Sequence, residues 1–225
     1  MRGLAVSGFF FGLGFSLFST QVPAQVQVSL EPRHHPVLSN DHVRLLDVRI
    51  PPGDTTQFHI HSTPSIFLML HQVKTGSEVI TEEDHSASPI PHYGPMWFEG
   101  FYTSPRVHRV WNSDTVLFHV NDIELPNKNY ITIDTPIVHP AFQYIMDEKP
   151  VRAYWLIPPA GEDISLSARK ADILMILMNE KTEGVAANKK GFLQKGDFLY
   201  IPAGEKIRIR NGSSDSVRFL FLELK

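Results

Sequence analysis

The stretch RIPPGDTTQFHIH, residues 49–61, joins a strand, a proline-glycine turn and a second strand that carries two histidines. Side chains alternate between the two faces of a β-strand. His59 and His61 therefore share one face, while Phe58 and Ile60 share the other. Such a pair either lies on a solvent-exposed face without a specific role, or both imidazoles bind the same ligand. Other features of the sequence distinguish these two alternatives.

The stretch is repeated later in the chain as LIPPAGEDISLSAR, residues 156–169. A second repeat follows each copy, because SPRVHRVWNSDTVLFHV (104–120) is echoed by AGEKIRIRNGSSDSVRFLFL (203–222). Internal repeats of this kind indicate two copies of one structural unit. The copies differ at three histidines: His59, His61 and His108 are aligned with Ser167, Arg169 and Ile207.

The fold class follows from many short apolar runs separated by turn signals such as Pro51-Pro52-Gly53-Asp54. This pattern predicts an all-β sandwich or barrel. The 17 prolines spread along the chain discourage long helices. We expect a first barrel over residues 25–126, a less regular linker over 127–150 and a second barrel over 151–225.

The first repeat resembles the first motif of the cupins, which is a glycine, five residues, His-x-His and then a glutamate. Gly53, five residues, His59 and His61 fit this motif. The glutamate is missing, and Ser65 or Ile66 stands in its place.

The second repeat resembles the second cupin motif, which ends in a histidine, three residues and an asparagine. His108 and Asn112 fit it, and Gly204 and Asn211 keep the same pattern in the second half without the histidine. The chain therefore resembles a bicupin. The resemblance implies double-stranded β-helix (cupin jelly-roll) barrels in tandem, with a homodimer as a common assembly.

By the same resemblance, His59, His61 and His108 converge inside the first barrel as ligands of one divalent transition metal. Neutral imidazole suits several such metals, so Fe, Mn, Zn, Cu and Ni are not distinguished. The second barrel lacks all three histidines and is expected to be a structural partner.

The missing glutamate leaves two alternatives for the metal site. Three neutral ligands leave the charge of the metal uncompensated, which favours an anionic or chelating substrate, and the short Ser65 is consistent with an open position. Alternatively, another residue completes the site, with Glu99 as the first candidate and His92 as the second. Arg106, close to His108, is a candidate contact for a substrate anion.

The remaining histidines are expected to lie mainly outside the metal site. His34, His35 and His42 lie near the start of the mature chain and are expected at the surface. His119 is expected to be a core or surface residue, with a contact to a metal ligand as the less favoured alternative. The aromatic run between residues 93 and 102 is expected to be mainly core, with some members at the mouth of a pocket.

The N-terminus has the three parts of a secretory signal peptide: a positive start at Arg2, an apolar run over 3–18 and a small-residue exit ending at Ala24. We expect cleavage after Ala24 and a periplasmic or secreted protein that has no membrane segment after cleavage. The chain has no cysteine, so neither disulfides nor thiolate ligands are available. A net charge of −3 without a basic stripe argues against a nucleic-acid partner.

Two classes of function fit these observations. The first is a metal-dependent enzyme, most simply a dioxygenase-like oxidoreductase, that acts on a small anionic or chelating molecule. The second is an exported cupin that binds a small molecule or a metal without catalysis. A cupin isomerase or lyase lies between the two.

Overall fold

The computed structural model describes residues 25–80, 93–101 and 103–225 of the 225-residue chain. Short strands carry almost all of the regular structure in these residues, together with one 3-10 helix at Val28–Leu30. The strands of the first half are β1 (Val26–Gln27), β2 (His34–Ser39), β3 (Arg44–Ile50), β4 (His59–His61), β5 (Ser65–His71), β6 (Thr75–Val79), β7 (Met96–Glu99), β8 (Arg106–Asn112) and β9 (Phe118–Glu124). Those of the second half are β10 (Phe142–Asp147), β11 (Val151–Leu156), β12 (Asp163–Leu166), β13 (Asp172–Leu177), β14 (Lys181–Ala187), β15 (Lys190–Gln194), β16 (Phe198–Ile201), β17 (Ile207–Asn211) and β18 (Phe219–Leu224).

Each half contains one five-stranded and one four-stranded sheet. In the first half their orders are β2-β3-β9-β5-β7 and β1-β4-β8-β6. In the second half they are β10-β11-β18-β13-β16 and β12-β17-β14-β15. The five-stranded sheets have the same connectivity, because each begins with an antiparallel pair whose second strand lies beside the last strand of that half. The prediction of an all-β fold of jelly-roll type is confirmed.

Strand alternation divides the buried apolar residues among three cores. In β3, Leu45 faces a core shared by the two five-stranded sheets, whereas Leu46 faces the interior of the first half. In β13, Leu174 faces the shared core, whereas Met175 faces the interior of the second half. Both five-stranded sheets are therefore covered on both faces, and the two interiors stay separate.

Equivalent turns anchor the two copies of the repeat. Gly53 and Gly161 have φ angles of 74° and 73°, which is the left-handed region that favours glycine. The side-chain amide of Asn112 donates to the Ile50 and Val116 carbonyls at 2.9 and 2.8 Å. Asn211 makes the corresponding bond to the carbonyl four residues later, at 2.8 Å. The asparagine of the second motif is thus a structural clamp in both halves.

Several elements differ from the sequence-based expectation. Strand β10 lies inside the segment 127–150, where a less regular linker is expected, and it pairs with β11. Strands β1 and β2 precede residues 43–50, the first stretch that the sequence predicts to be a strand, and β14 and β15 form a hairpin where the sequence predicts no strand. Within the described ranges, no helix is long and apolar enough to cross a membrane.

Candidate metal centre

Strands β4 and β8 place three of the predicted histidines side by side. The two strands are antiparallel neighbours, and His59 lies directly opposite His108 in their register. His59 and His61 are both buried, while Ile60 between them is only partly buried. Both imidazoles therefore point into the interior of the first half, as the alternation of the HIH sequence predicts.

The imidazole rings are in mutual contact. The ring centroids of His59 and His61 are 4.9 Å apart, and the His108 centroid lies 4.6 Å from His59 and 4.9 Å from His61. The Nε2 atoms of His61 and His108 are separated by 3.0 Å. This is close to the about 3.0 Å that separates two adjacent ligands at right angles when metal–nitrogen bonds are about 2.1 Å long.

A fourth histidine, which sequence analysis assigns to the surface, joins this group. His34 is 6% exposed, and its ring centroid is 4.6 Å from that of His59. One ring nitrogen from each of His34, His59 and His61 lies within 4.8 Å of one from each of the others. The reason is the pairing of β2 with β3, which sets His34 opposite Val48, a residue that faces the interior. The expectation that His34 is a surface residue is therefore wrong.

Two acceptors outside the group fix which nitrogen of each ring faces inward. His34 Nδ1 is 2.6 Å from the Glu31 carboxylate, and His59 Nδ1 is 2.9 Å from the Gln57 carbonyl. Since a carbonyl and a carboxylate only accept, each Nδ1 carries the proton and each Nε2 keeps a lone pair in the neutral ring. The buried Nε2 of His59 has no hydrogen-bond partner among the described residues. Metal-binding histidines are characteristically oriented by partners of this kind.

Glu31 is well suited to hold His34 in this orientation. Burial raises the pKa of Glu31, but hydrogen bonds from His34 and from the Gln57 and Arg33 amides outweigh it and leave the pKa below its ordinary value. The carboxylate is therefore ionised at neutral pH. In the sequence, Glu31 and His34 are three residues apart, but this spacing matches no recognised motif, so sequence analysis did not find the pair.

The electrostatic environment keeps the inner histidines neutral. Burial, together with electrostatic repulsion from His34 as His59 gains a proton, lowers the pKa of His59 to about 4. Burial, together with electrostatic repulsion from His59 and Arg106 as His108 gains a proton, lowers the pKa of His108 to about 3. The pKa of His61 is also far below its ordinary value, mainly because of burial. Neutral imidazole is the form that binds a metal, so these donors suit a divalent transition metal.

A cavity of about 380 Å³ opens beside the four histidines. This volume lies within the range of about 300–1,000 Å³ typical of small-molecule sites. Part of the aromatic run contributes to its lining, since Trp97 stacks on Phe67 with ring centroids 5.1 Å apart. The remaining apolar wall comes from Val48, Ile50, Met69, Val110, Phe118 and Val120.

Glu99 and Arg106 line the same cavity as an ion pair. Glu99 accepts hydrogen bonds from the Trp97 indole at 2.8 Å and from Arg106 at 2.9 Å, and its other oxygen is 2.7 Å from Arg106. The Glu99 carboxylate is therefore engaged by these two side chains. The guanidinium of Arg106 lies 5.7 Å from the centroid of the Phe101 ring.

The remaining candidates lie outside the cavity or outside the described residues. Ser65 is buried, and its hydroxyl donates to the Thr63 carbonyl at 3.0 Å and lies close to Asp122. His92 lies outside the described residues. His119 is a buried histidine whose Nε2 is 2.5 Å from the Asp47 carboxylate, which agrees with the expected core role.

Sequence analysis also missed Asp122, a buried carboxyl group of β9 that lines the cavity. Its Oδ2 lies 3.5 Å from His61 Nδ1, and neither oxygen has a hydrogen-bond partner among the described residues. Burial and the nearby Glu124 raise the pKa of Asp122 well above its ordinary value, and the opposing effect of the nearby Ser65 hydroxyl is smaller. Inner-face alternation along β9, where Phe118 and Val120 precede it, is the signal that could have found it.

Fold and site together define an all-β protein of the cupin fold with a buried group of histidines that fits a divalent metal. Among solved structures, the chain is similar to AerE from Microcystis aeruginosa, with a TM-score of 0.53 and 12% identity over 87% of this chain and 98% of that one. It is also similar to YhhW from Escherichia coli, with a TM-score of 0.55 and 13% identity over 87% and 89% of the two chains.

A third structural neighbour is salicylate 1,2-dioxygenase from Pseudoaminobacter salicylatoxidans, in a structure with gentisate adducts. The TM-score is 0.55, and the identity is 10% over 83% of this chain and 70% of the dioxygenase. At these identities the likeness establishes the fold. No protein family model and no curated protein matches the sequence.

Proposed function

We propose that the protein is an exported, metal-dependent oxidoreductase of dioxygenase type that acts on a small anionic or chelating molecule. The observation that carries the proposal is the convergence of four imidazoles at the wall of a cavity, with the buried Nε2 of His59 lacking any partner among the described residues. A buried polar atom without a partner is costly. A bound metal removes that cost.

His59, His61 and His108 hold the metal, as the sequence motifs predict, and His34 supplies a fourth nitrogen. A divalent metal in this position supplies a Lewis acid and, if it is redox-active, an electron source for reactions with oxygen. The Nε2 atoms of His61 and His108 are 3.0 Å apart, so one ion could contact both. A metal held by these histidines would face the cavity, where a substrate could reach it.

The residues around the centre bind and orient the substrate. The apolar walls exclude water from the histidines, and this strengthens each electrostatic interaction inside the cavity. Arg106 supplies positive charge at the cavity, and its pairing with Glu99 restricts the positions that its guanidinium can take. An anionic group that reaches Arg106 is therefore oriented while another part of the molecule faces the histidines.

The choice of an oxygen-dependent reaction is supported by the fold of the neighbours. Salicylate 1,2-dioxygenase, with its gentisate adducts, shares the fold of this chain. A small aromatic acid is compatible with the volume, the aromatic wall and the arginine of the cavity.

Export is supported by the order of the N-terminal segments. The signal-peptide pattern ends at Ala24, and the first strand begins at Val26, where it pairs with His59 of β4. A chain cleaved after Ala24 therefore keeps every described strand. The metal would then be acquired outside the cytoplasm, where availability and geometry decide which ion is bound.

The test uses the purified mature protein loaded with Co(II) or Fe(II). Small bidentate anions, including aromatic carboxylates, are titrated while the Co(II) absorption spectrum is recorded, and oxygen consumption is followed with the Fe(II) form. We expect at least one anion to shift the spectrum and to consume oxygen. The His108→Ala variant should show neither effect, and a spectrum that no anion changes would contradict the proposal.

Non-catalytic binding remains the second candidate, because His34 fills a position that a three-histidine centre would leave open. A binding protein would shift the Co(II) spectrum with an anion but consume no oxygen and release no altered molecule. An isomerase or lyase would alter the molecule without consuming oxygen. The same titration, followed by chromatography of the products, separates the three possibilities.

A further inference from the structure

We propose that Asp122 is a positioning residue of the metal centre, which accepts the N–H of His61 Nδ1 and so fixes the ring with Nε2 toward the metal. This inference rests on the proposed metal-binding function. It starts from two buried groups that lack partners among the described residues, His61 Nδ1 and the Asp122 carboxyl. The two groups face each other at 3.5 Å, so a movement of a few tenths of an ångström brings them to the usual hydrogen-bond distance of about 3.0 Å.

The geometry of His61 places Asp122 outside the ligand set. The Nε2 atom of His61 faces His108 Nε2 at 3.0 Å, whereas its Nδ1 atom, on the other side of the ring, faces Asp122. Asp122 therefore lies at the Nδ1 atom of His61. Glu31 lies at the Nδ1 atom of His34 in the same way, and the Gln57 carbonyl lies at that of His59. With Asp122 included, His34, His59 and His61 each have an acceptor behind Nδ1.

The second half of the chain shows what the fold places at this position when no histidines are present. Arg44 lies opposite Glu124 in the first half, and Arg152 lies opposite Glu223 in the second. Glu124 and Glu223 are therefore equivalent positions in the last strands of the two halves. Two residues before each glutamate stand Asp122 and Phe221. Phe221 is fully buried in an apolar core.

The histidine positions change in the same way. Ile207 occupies the position of His108, and its partner across the strand pair is Leu166, just as His59 is the partner of His108. The register therefore corrects the alignment made on the glycines, which places Ser167 at the position of His59. The residues that correspond to His59, His108 and Asp122 are Leu166, Ile207 and Phe221, which are all apolar, so the sheet itself does not need a carboxyl group at residue 122.

The test measures metal affinity and metal-free stability separately in the full mature protein. Asp122→Leu removes the acceptor and keeps a similar volume, and Asp122→Asn keeps an acceptor oxygen. We expect the Co(II) affinity of Asp122→Leu to fall by about 10- to 100-fold, as is typical when an outer partner of a metal ligand is lost. The Co(II) absorption spectrum should change as well, while Asp122→Asn should lose less than about tenfold.

Glu124→Gln is the matched control, because Glu124 is a buried carboxyl group on the same face of the same strand and is bound to Arg44 rather than to a histidine. Its Co(II) affinity and spectrum should stay close to those of the unaltered protein. A purely structural role for Asp122 makes the opposite prediction. It requires metal-free Asp122→Leu to unfold more easily, whereas a positioning role leaves its stability unchanged or raises it, because a buried carboxyl without partners is removed.

The outcomes separate this inference from the proposed function. If the unaltered protein binds Co(II) and Asp122→Leu binds it equally well with the same spectrum, the positioning role is wrong and the metal centre stands. If Asp122→Leu is destabilised without metal and its folded form binds Co(II) normally, the residue is structural. If the unaltered protein binds no metal at all, the proposed function fails and the role of Asp122 fails with it.

Discussion

Replacing His34 by alanine distinguishes a four-histidine centre from the three-histidine centre that the sequence motifs predict. His34 offers a ring nitrogen within 4.8 Å of one from each of His59 and His61, and its Nδ1 lies 2.6 Å from the Glu31 carboxylate. Outer partners of metal ligands are worth about 10- to 100-fold in affinity. Loss of a ligand should reach at least the upper end, about 100-fold, or about 2.7 kcal/mol of binding free energy.

The same substitution has a calculable effect on the metal-free protein. Glu31 loses its hydrogen bond to His34 but keeps the Arg33 amide at 2.7 Å and the Gln57 amide at 3.1 Å. A buried charged group that loses one hydrogen-bond partner costs about 1–3 kcal/mol. We therefore expect His34→Ala to lower the free energy of unfolding by about 2 kcal/mol without preventing folding.

The assay is a Co(II) titration followed by visible absorption, together with urea unfolding of the metal-free protein. The matched control is His35→Ala, because His35 is the next residue on the same strand and is exposed. Its affinity should be unchanged, and its stability should change by no more than about 0.5 kcal/mol. The reasoning is refuted if His34→Ala binds Co(II) with the affinity and spectrum of the unaltered protein while His59→Ala does not.

Three further outcomes follow from the structure. The folded-state pKa values of His59 and His108, about 4 and about 3, lie below the ordinary value of 6.5, so protonation favours the unfolded chain. The stability of the metal-free protein should therefore be level above pH 6.5 and fall toward pH 4, by up to about 1.4 kcal/mol per pH unit for each histidine. A stability that rises as the pH falls over this interval would contradict the burial of neutral rings. Asn112→Ala removes two carbonyl contacts of the clamp and should cost about 1–3 kcal/mol in chemical denaturation, whereas an unchanged midpoint would show that the turn does not depend on it. N-terminal sequencing of exported protein should begin at Gln25, and recovery of intact Met1 chains in the membrane fraction would exclude cleavage.

The positions of His59, His61 and His108 were predictable because each histidine belongs to a short, recognisable sequence pattern. The alternation around His59 and His61 sets both on one face, and the spacing of His108 from Asn112 matches the second cupin motif. The structure brings these three histidines together. Their role as metal ligands stays a prediction.

His34 and Asp122 were not predictable from these patterns, for different physical reasons. His34 lies on a strand whose sequence, HHPVLS, includes a proline and has little apolar alternation. Its burial comes from pairing with β3 rather than from local preference. Asp122 interrupts the apolar inner face of β9, but a single carboxylate on a buried face gains meaning only once His61 is seen beside it.

The linker shows the same limit at the level of the fold. Residues 142–147 form β10, although the surrounding segment is rich in turn-forming residues. The strand exists because β11 offers it an edge of the five-stranded sheet. Tertiary pairing of this kind overrides the local signal.

The most direct test of the central claim is X-ray absorption at the edge of the metal that co-purifies with the mature protein, combined with elemental analysis. We expect about one divalent transition metal per chain, bound through imidazole nitrogens, with at least one exchangeable light-atom ligand as in catalytic metal sites. The same measurement on His61→Ala should show strongly reduced occupancy, whereas Arg169→Ala, in the half without histidines, should match the unaltered protein. Absence of metal, or a metal bound without imidazole, would contradict the account.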